Sequence, residues 1–194
     1  MIICSSGIIL TANENSCLLH AVANAEAWLT AAITEKAQVR RDALNDDWRP
    51  TLYADSSVTE LPADPDELAT LILARSDYKT RAQQDAAADP VVATSTTQKD
   101  KYDSVSRSGS TVTLFGSGIT IADLSGNCIL AYVQNIEEWV IGALMGMVNR
   151  GKKKMIAQYH PIIMADASVS TMPATEDGLI TMILARSDYQ SLGG

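Results

Sequence analysis

The string ILARSDY occurs twice in this chain of 194 residues, at 72–78 and again at 183–189. Holding that offset of 111 fixed, residues 7–80 align with 118–191 without a gap, and 26 of the 74 aligned positions are identical. Unrelated segments of ordinary composition would share roughly one position in fifteen. The shared positions include Gly7 with Gly118, Cys17 with Cys128, Trp28 with Trp139, Pro50 with Pro161, Asp55 with Asp166 and Pro62 with Pro173. These residue types fix backbone shape and core volume. The chain therefore reads as a tandem duplication: a first unit at 1–80, a second at 111–194, and a flexible Ser/Thr-rich linker at 81–110 between them.

Each unit opens with β-prone residues around a small turn, Met1 to Cys4 and Ile8 to Leu10 in the first, Thr111 to Phe115 and Ile119 to Ile121 in the second. This pattern predicts a short β-hairpin. Polar residues follow (Asn13 to Ser16; Ser125 to Asn127) as candidate N-caps of one long amphipathic helix. Its apolar stripe is Ile129, Val133, Ile136, Val140, Leu144 and Met147, matched by Leu18, Val22, Ala25, Leu29 and Ile33. Pro50 and Pro161 are expected to break that helix or begin a new turn. A short helix closes each unit. Asp64-Pro65-Asp66-Glu67 supplies an N-cap, a first-turn proline and acids facing the positive end of the dipole, and Thr175-Glu176-Asp177 does the same in the second unit. The expected class is α+β, mostly helical, as two copies of a hairpin, long helix and short helix. About 75 residues are marginal alone, so each unit needs something to pack against.

Composition narrows the function classes. The formal net charge is -8, which excludes a protein that grips nucleic acid over its whole surface but leaves room for a local patch. The first residues have neither the basic n-region nor the apolar h-region of a secretory signal. The longest run of apolar residues and glycine, 139–148, is ten long where a membrane span needs about 20, so no membrane partner is expected. Three cysteines without CxxC spacing suit free thiols in a reducing cytosol, the alternative being a Cys17–Cys128 disulfide. The linker, about 3.3 Å per residue when extended, leaves the two units free to pack together or apart.

Four features are candidate sites. In ARSDY, Arg75, Asp77 and Tyr78, with Arg186, Asp188 and Tyr189, could bind a ligand. The structural alternative is that the Arg and Asp close the helix while the Tyr packs beside it. The run Arg150 to Lys154, including Lys152, Lys153 and Lys154, could meet phosphate or an acidic protein surface, or simply complement its own helix end. Gly142 and Gly146 form a GxxxG that permits close helix packing within the chain or between subunits. The fourth is charge: residues 7–80 carry six basic and twelve acidic side chains, net -6, and residues 118–191 carry five and seven, net -2. Neither histidine recurs, since His20 aligns with Ala131 and His160 with Arg49, and there is no HxxE, HxH, GxxxxGK[ST] or GxSxG. No metal, cofactor or catalytic constellation is expected, and the chain reads as a non-enzyme.

The order of Trp139, Lys153-Lys154-Met155-Ile156, Tyr159 with Pro161, Ala165-Asp166, Pro173 to Asp177 and Ile183 to Tyr189 resembles small proteins encoded by tailed phages. The first unit departs at Asp42-Ala43-Leu44-Asn45. The resemblance implies a phage setting and no particular chemistry. The expectation is a structural protein of the virion, made in the host cytoplasm: a capsid decoration (cement) protein or a head-tail connector component. Its partners would be capsid or portal/neck proteins and further copies of itself. The alternative is a small nucleic-acid-binding or regulatory module using residues 150–154.

Overall fold

The structure, a computed structural model, describes residues 1–88, 102 and 110–191. It is mostly helical with small strands. In chain order the elements are β1 (Ile2–Ile3), β2 (Ile8–Thr11), α1 (Ala12–Ala21), α2 (Ala25–Ala54), α3 (Pro65–Leu73), α4 (Arg81–Ala88), β3 (Thr111–Leu114), β4 (Ile119–Thr120), α5 (Asp123–Leu130), α6 (Ile136–Ala165) and α7 (Glu176–Leu184). The bounds of α2 and α6, and of α3 and α7, repeat at the same 111-residue offset as the sequence.

The expected hairpins do not form. The chain does turn after β1 and after β3, with Cys4 and Phe115 at φ 48° and 50° and Gly7 and Gly118 at 72° and 78°. Gly7 N–H donates to the Cys4 carbonyl at 2.7 Å, and Gly118 N–H to that of Phe115 at 2.7 Å. The strands flanking each turn, however, pair with the other unit. β1 lies antiparallel to β4 (Ile2 opposite Thr120, Ile3 opposite Ile119) and β2 antiparallel to β3 (Ile8 opposite Leu114, Thr11 opposite Thr111). Glycine makes this interlock possible. A Cβ at Gly7 would stand 2.8 Å from the Leu114 carbonyl oxygen, and one at Gly118 3.0 Å from Ser5 Cα.

The exchange continues in the helices. The long amphipathic stretch is two helices in each unit, broken at 22–24 and 131–135. Thr11 caps α1 in a capping box with Glu14, so Asn13 to Ser16 lie inside the helix rather than at its start. Asn24 and Asn135 then cap α2 and α6, each accepting backbone N–H bonds from the first turn. The break lets α1 leave its own unit and pack along α6, while α5 packs along α2 and α3. Two cores result. The larger joins Cys17 and Leu18 of α1 to Val148, Met155, Tyr159 and Ile163 of α6 and Ile180 and Ile183 of α7, and continues through the strands and the first half of α2. The smaller joins Leu44 and Leu52 of α2 and Leu68 and Ile72 of α3 to Cys128 of α5 and its C-cap Ala131. Cys17 and Cys128 thus sit in different cores, and Cys4, Cys17 and Cys128 are buried thiols outside any disulfide.

Pro50 and Pro161 stand inside α2 and α6, not at their ends. Each helix runs one more turn to an Asp C-cap because that turn carries a core residue, Leu52 or Ile163, each 1% exposed. The stretch expected to be linker begins as helix α4, and Tyr102 donates from its hydroxyl to the Ile9 carbonyl. The rest of the 81–110 segment, apart from Ser110, lies outside the described residues.

Candidate functional site

In the repeated ARSDY the Arg and Tyr side chains are half-buried, while Asp77 and Asp188 remain exposed. Arg75 donates to Asp77 through Nε (2.8 Å) and Nη2 (3.0 Å), and to Asp55 through Nη1 (2.8 Å). Arg186 does the same with Asp188 and Asp166. Asp55 and Asp166 are the C-caps of the long helices, so each arginine ties the end of a long helix to the end of the following short one. Bonds from Ser57 and Arg75 hold the Asp55 carboxyl at about 2, and Ser168 and Arg186 do so for Asp166. Asp77 and Asp188 are held below the usual carboxylate range by the same arginines. With both faces of the guanidinium fork occupied by carboxylates, the arginine has little left to offer a ligand.

Tyr78 and Tyr189 complete two aromatic clusters that differ in content. In the smaller core Tyr78 packs against Trp48 at 6.1 Å between ring centroids. In the larger, Tyr189 stacks on His20 at 6.0 Å and tilts against Tyr159 at 5.7 Å. His20 is 3% exposed, and neither ring nitrogen has a hydrogen-bond partner. Burial, reinforced by the Lys154 charge, pushes its pKa below the usual value. Where the first unit has His20 the second has Ala131, and a cavity of about 180 Å³ opens there beside Trp48, Tyr78 and Tyr132.

Lys152 is also committed within the chain. It pairs with Asp177 at 2.9 Å, the counterpart of Arg41 with Asp66 at 2.7 Å. Burial works against the Lys152 charge, but the Asp177 bond outweighs it and its pKa rises. Arg150, Lys153 and Lys154 are exposed and make no ion pair among the described residues. Within the GxxxG, Gly146 makes no close helix approach among the described residues. A Cβ at Gly146 would meet nothing within 4 Å, and Gly142 and Gly146 line an open groove of about 680 Å³ with Trp139 and Met145. The glycine that carries a helix crossing is Gly151, where a Cβ would lie 1.8 Å from the Cys17 carbonyl oxygen.

No protein-family model, curated protein or solved structure matches this chain. Its outer surface therefore has to speak for itself. On the second half of α2, Val39, Asp42, Asp46 and Tyr53 recur at helical spacing along one solvent stripe. The matching stripe of α6 carries Arg150, Lys153, Lys154, Ala157 and Met164. Val39, Tyr53 and Met164 are 55%, 73% and 64% exposed, among the most exposed large apolar side chains of the molecule. The first stripe is acidic and apolar, the second basic and apolar. On the same stripe Arg49 is exposed and pairs with Asp46 at 3.6 Å, while Asp42 pairs with the half-buried Arg41 at 2.9 Å; the acids outnumber the one basic residue of the stripe, and the Asp46–Arg49 pair of exposed groups contributes little. Reading the sequence found the basic half of this pair. It missed Val39, Tyr53 and Met164, whose signal is an apolar residue standing on the polar side of an otherwise regular stripe. Among the described residues no group of three or more His, Cys, Asp or Glu is placed to hold a metal ion.

Proposed function

We propose that the chain arose by tandem duplication and serves as a non-enzymatic structural component of a phage particle, either a capsid decoration (cement) protein or a head-tail connector component. It acts by contacts with capsid or portal/neck proteins. The observation that carries this reading is the divergence of the two outer stripes. The internal clamps Arg75–Asp55 and Arg186–Asp166 have been kept in both halves, while the exposed positions 42 and 153, and 39 and 150, have exchanged acidic or apolar character for basic. Selection that preserves a scaffold and diversifies its faces suits a part that touches two different neighbours. The phage setting comes from the resemblance of the Trp139-to-Tyr189 pattern to small tailed-phage proteins. Mass spectrometry of purified virions tests it: the protein is expected at a fixed copy number per particle, and its absence would sink the reading.

The exposed Arg150, Lys153 and Lys154 favour one second reading, a nucleic-acid-binding or regulatory module. It requires binding to duplex DNA that weakens steeply with salt and disappears when Lys153 and Lys154 are changed to Glu.

A further inference from the structure

The two stripes complement each other as well as differing. Each presents a helix face of the same length and spacing, because each is the same stretch of the same long helix offset by 111 residues. The α2 stripe sets Asp42 and Asp46 between exposed Val39 and Tyr53. On α6, Arg150, Lys153 and Lys154 lead into Ala157, Pro161 and exposed Met164. Large apolar side chains grouped with charge of one sign on an exposed helix face are typical of a protein-binding surface. The charge distribution of the two halves agrees. Residues 38–80 hold five basic and nine acidic side chains, net -4, and residues 149–191 hold five and four, net +1.

We propose that the α2 stripe of one copy binds the α6 stripe of another, so that the protein associates with itself head to tail. The two stripes belong to different halves of one chain: the second half of α2 packs with α3 and α5, and that of α6 with α1 and α7. Each copy therefore offers one donor and one acceptor face. Such a heterologous contact continues from copy to copy and generates a ring if the rotation closes, or a filament if it does not. Apolar contact at Val39, Tyr53 and Met164 supplies attraction, and the opposite charges fix which stripe meets which and raise the rate of encounter. The inference deepens the assembly reading above and rests on its premise that the outer faces bind protein. A chain found in virions that does not self-associate would fail this inference alone. One that self-associates but is absent from virions would fail only the phage setting.

Sedimentation velocity of the full chain at low salt tests the pairing. The wild-type protein is expected to form species beyond the monomer that grow with concentration and shrink as salt rises. Two variants, K153E/K154E and D42K/D46K, change only exposed residues, so circular dichroism and unfolding midpoints check that each still folds. Each is expected to be monomeric alone, since both of its stripes then carry the same sign. Mixed in equal amounts they should associate again, each with the other and not with itself. A wild type that stays monomeric at every soluble concentration overturns the proposal. So does association that neither charge reversal changes, or a mixture that remains monomeric. Met164→Asp, which leaves the charges of the α2 stripe untouched, is expected to weaken wild-type association at least tenfold.

Discussion

At the scale of single residues, the two halves differ where one helix crosses another, and the differences come in matched pairs. Gly151 lets α1 press onto α6 beside Ala21, while its counterpart Arg40 lies over the ring of Tyr132, the counterpart of Ala21, at 4.7 Å. His20 packs with Tyr159 and Tyr189, whereas Ala131 sits with the larger Trp48 and Tyr78. Gly151→Ala is therefore expected to destabilise by roughly 3 kcal/mol, the upper end of overpacking costs, because backbone stands in the way. Helix propensity alone predicts a gain of about 1 kcal/mol, so the sign of the shift in urea midpoint decides. His20 gives a pH dependence. Its folded pKa lies below the unfolded value of about 6.5, so the unfolded state binds the extra proton. Stability is full above that value and falls as pH drops through the window beneath it. Urea titrations at several pH values should find this step in the wild type and not in His20→Phe. A second loss belongs to Asp55 and Asp166, whose stabilisation disappears as pH falls from about 3.9 towards their folded values of about 2.

At the scale of elements, two carboxylates hold the exchanged turns in place. Glu137, at the start of α6, accepts the Cys4 backbone N–H at 2.7 Å, and Glu26, at the start of α2, accepts that of Phe115 at 2.7 Å. Both donors belong to residues in the left-handed region, where no strand neighbour can take the bond. Glu137→Ala should cost about 1–3 kcal/mol through the orphaned part-buried Cys4 N–H, and Glu26→Ala about 0.5–1.5 kcal/mol, because water reaches the exposed Phe115 N–H. Because the two turns touch, a Cβ at Gly7 standing 3.1 Å from the Phe115 carbonyl oxygen and one at Gly118 3.0 Å from Ser5 Cα, the double variant should depart from the sum of the single losses by more than about 0.5 kcal/mol, checked by denaturant unfolding of all three. Much of the element list was legible. Asp64-Pro65 and Thr175 announce α3 and α7 because their caps are local chemistry, and the core stripe of α6 follows from spacing alone. The break at Asn24 and Asn135 was not, because both asparagines fall in a stretch whose apolar spacing continues across the gap from helix to helix. Nor was strand pairing, since β1 and β2 alternate equally well with each other or with β4 and β3.

At the scale of the whole molecule, the exchange means that neither unit holds its own complete core. The contact from Cys4 to Glu137 spans 133 positions, so folding must close long loops before either core is complete, and slow folding is expected for a helical chain of this size. The matched residue pairs also say which assembly the separated units would choose. In a dimer of residues 1–88 with themselves, His20 would meet Trp48 and Tyr78, too much volume for a site built around Ala131, and Ala21 would leave Arg40 without its ring. In a dimer of residues 110–194 with themselves, Ala131 would meet Tyr159 and Tyr189 and leave a void where His20 belongs. Overpacking costs about 1–3 kcal/mol and deleting a large side chain from a core costs several, whereas the mixed pair restores each of these matched pairs. Fragments 1–88 and 110–194 refolded together should therefore give a heterodimer in large excess over either homodimer, read directly by native mass spectrometry. A statistical mixture of the three would mean that these pairs do not specify the exchange. Changing His20 to Ala in fragment 1–88 should move the distribution toward its homodimer, because the new alanine would then sit with Trp48 and Tyr78 as Ala131 does in the intact chain.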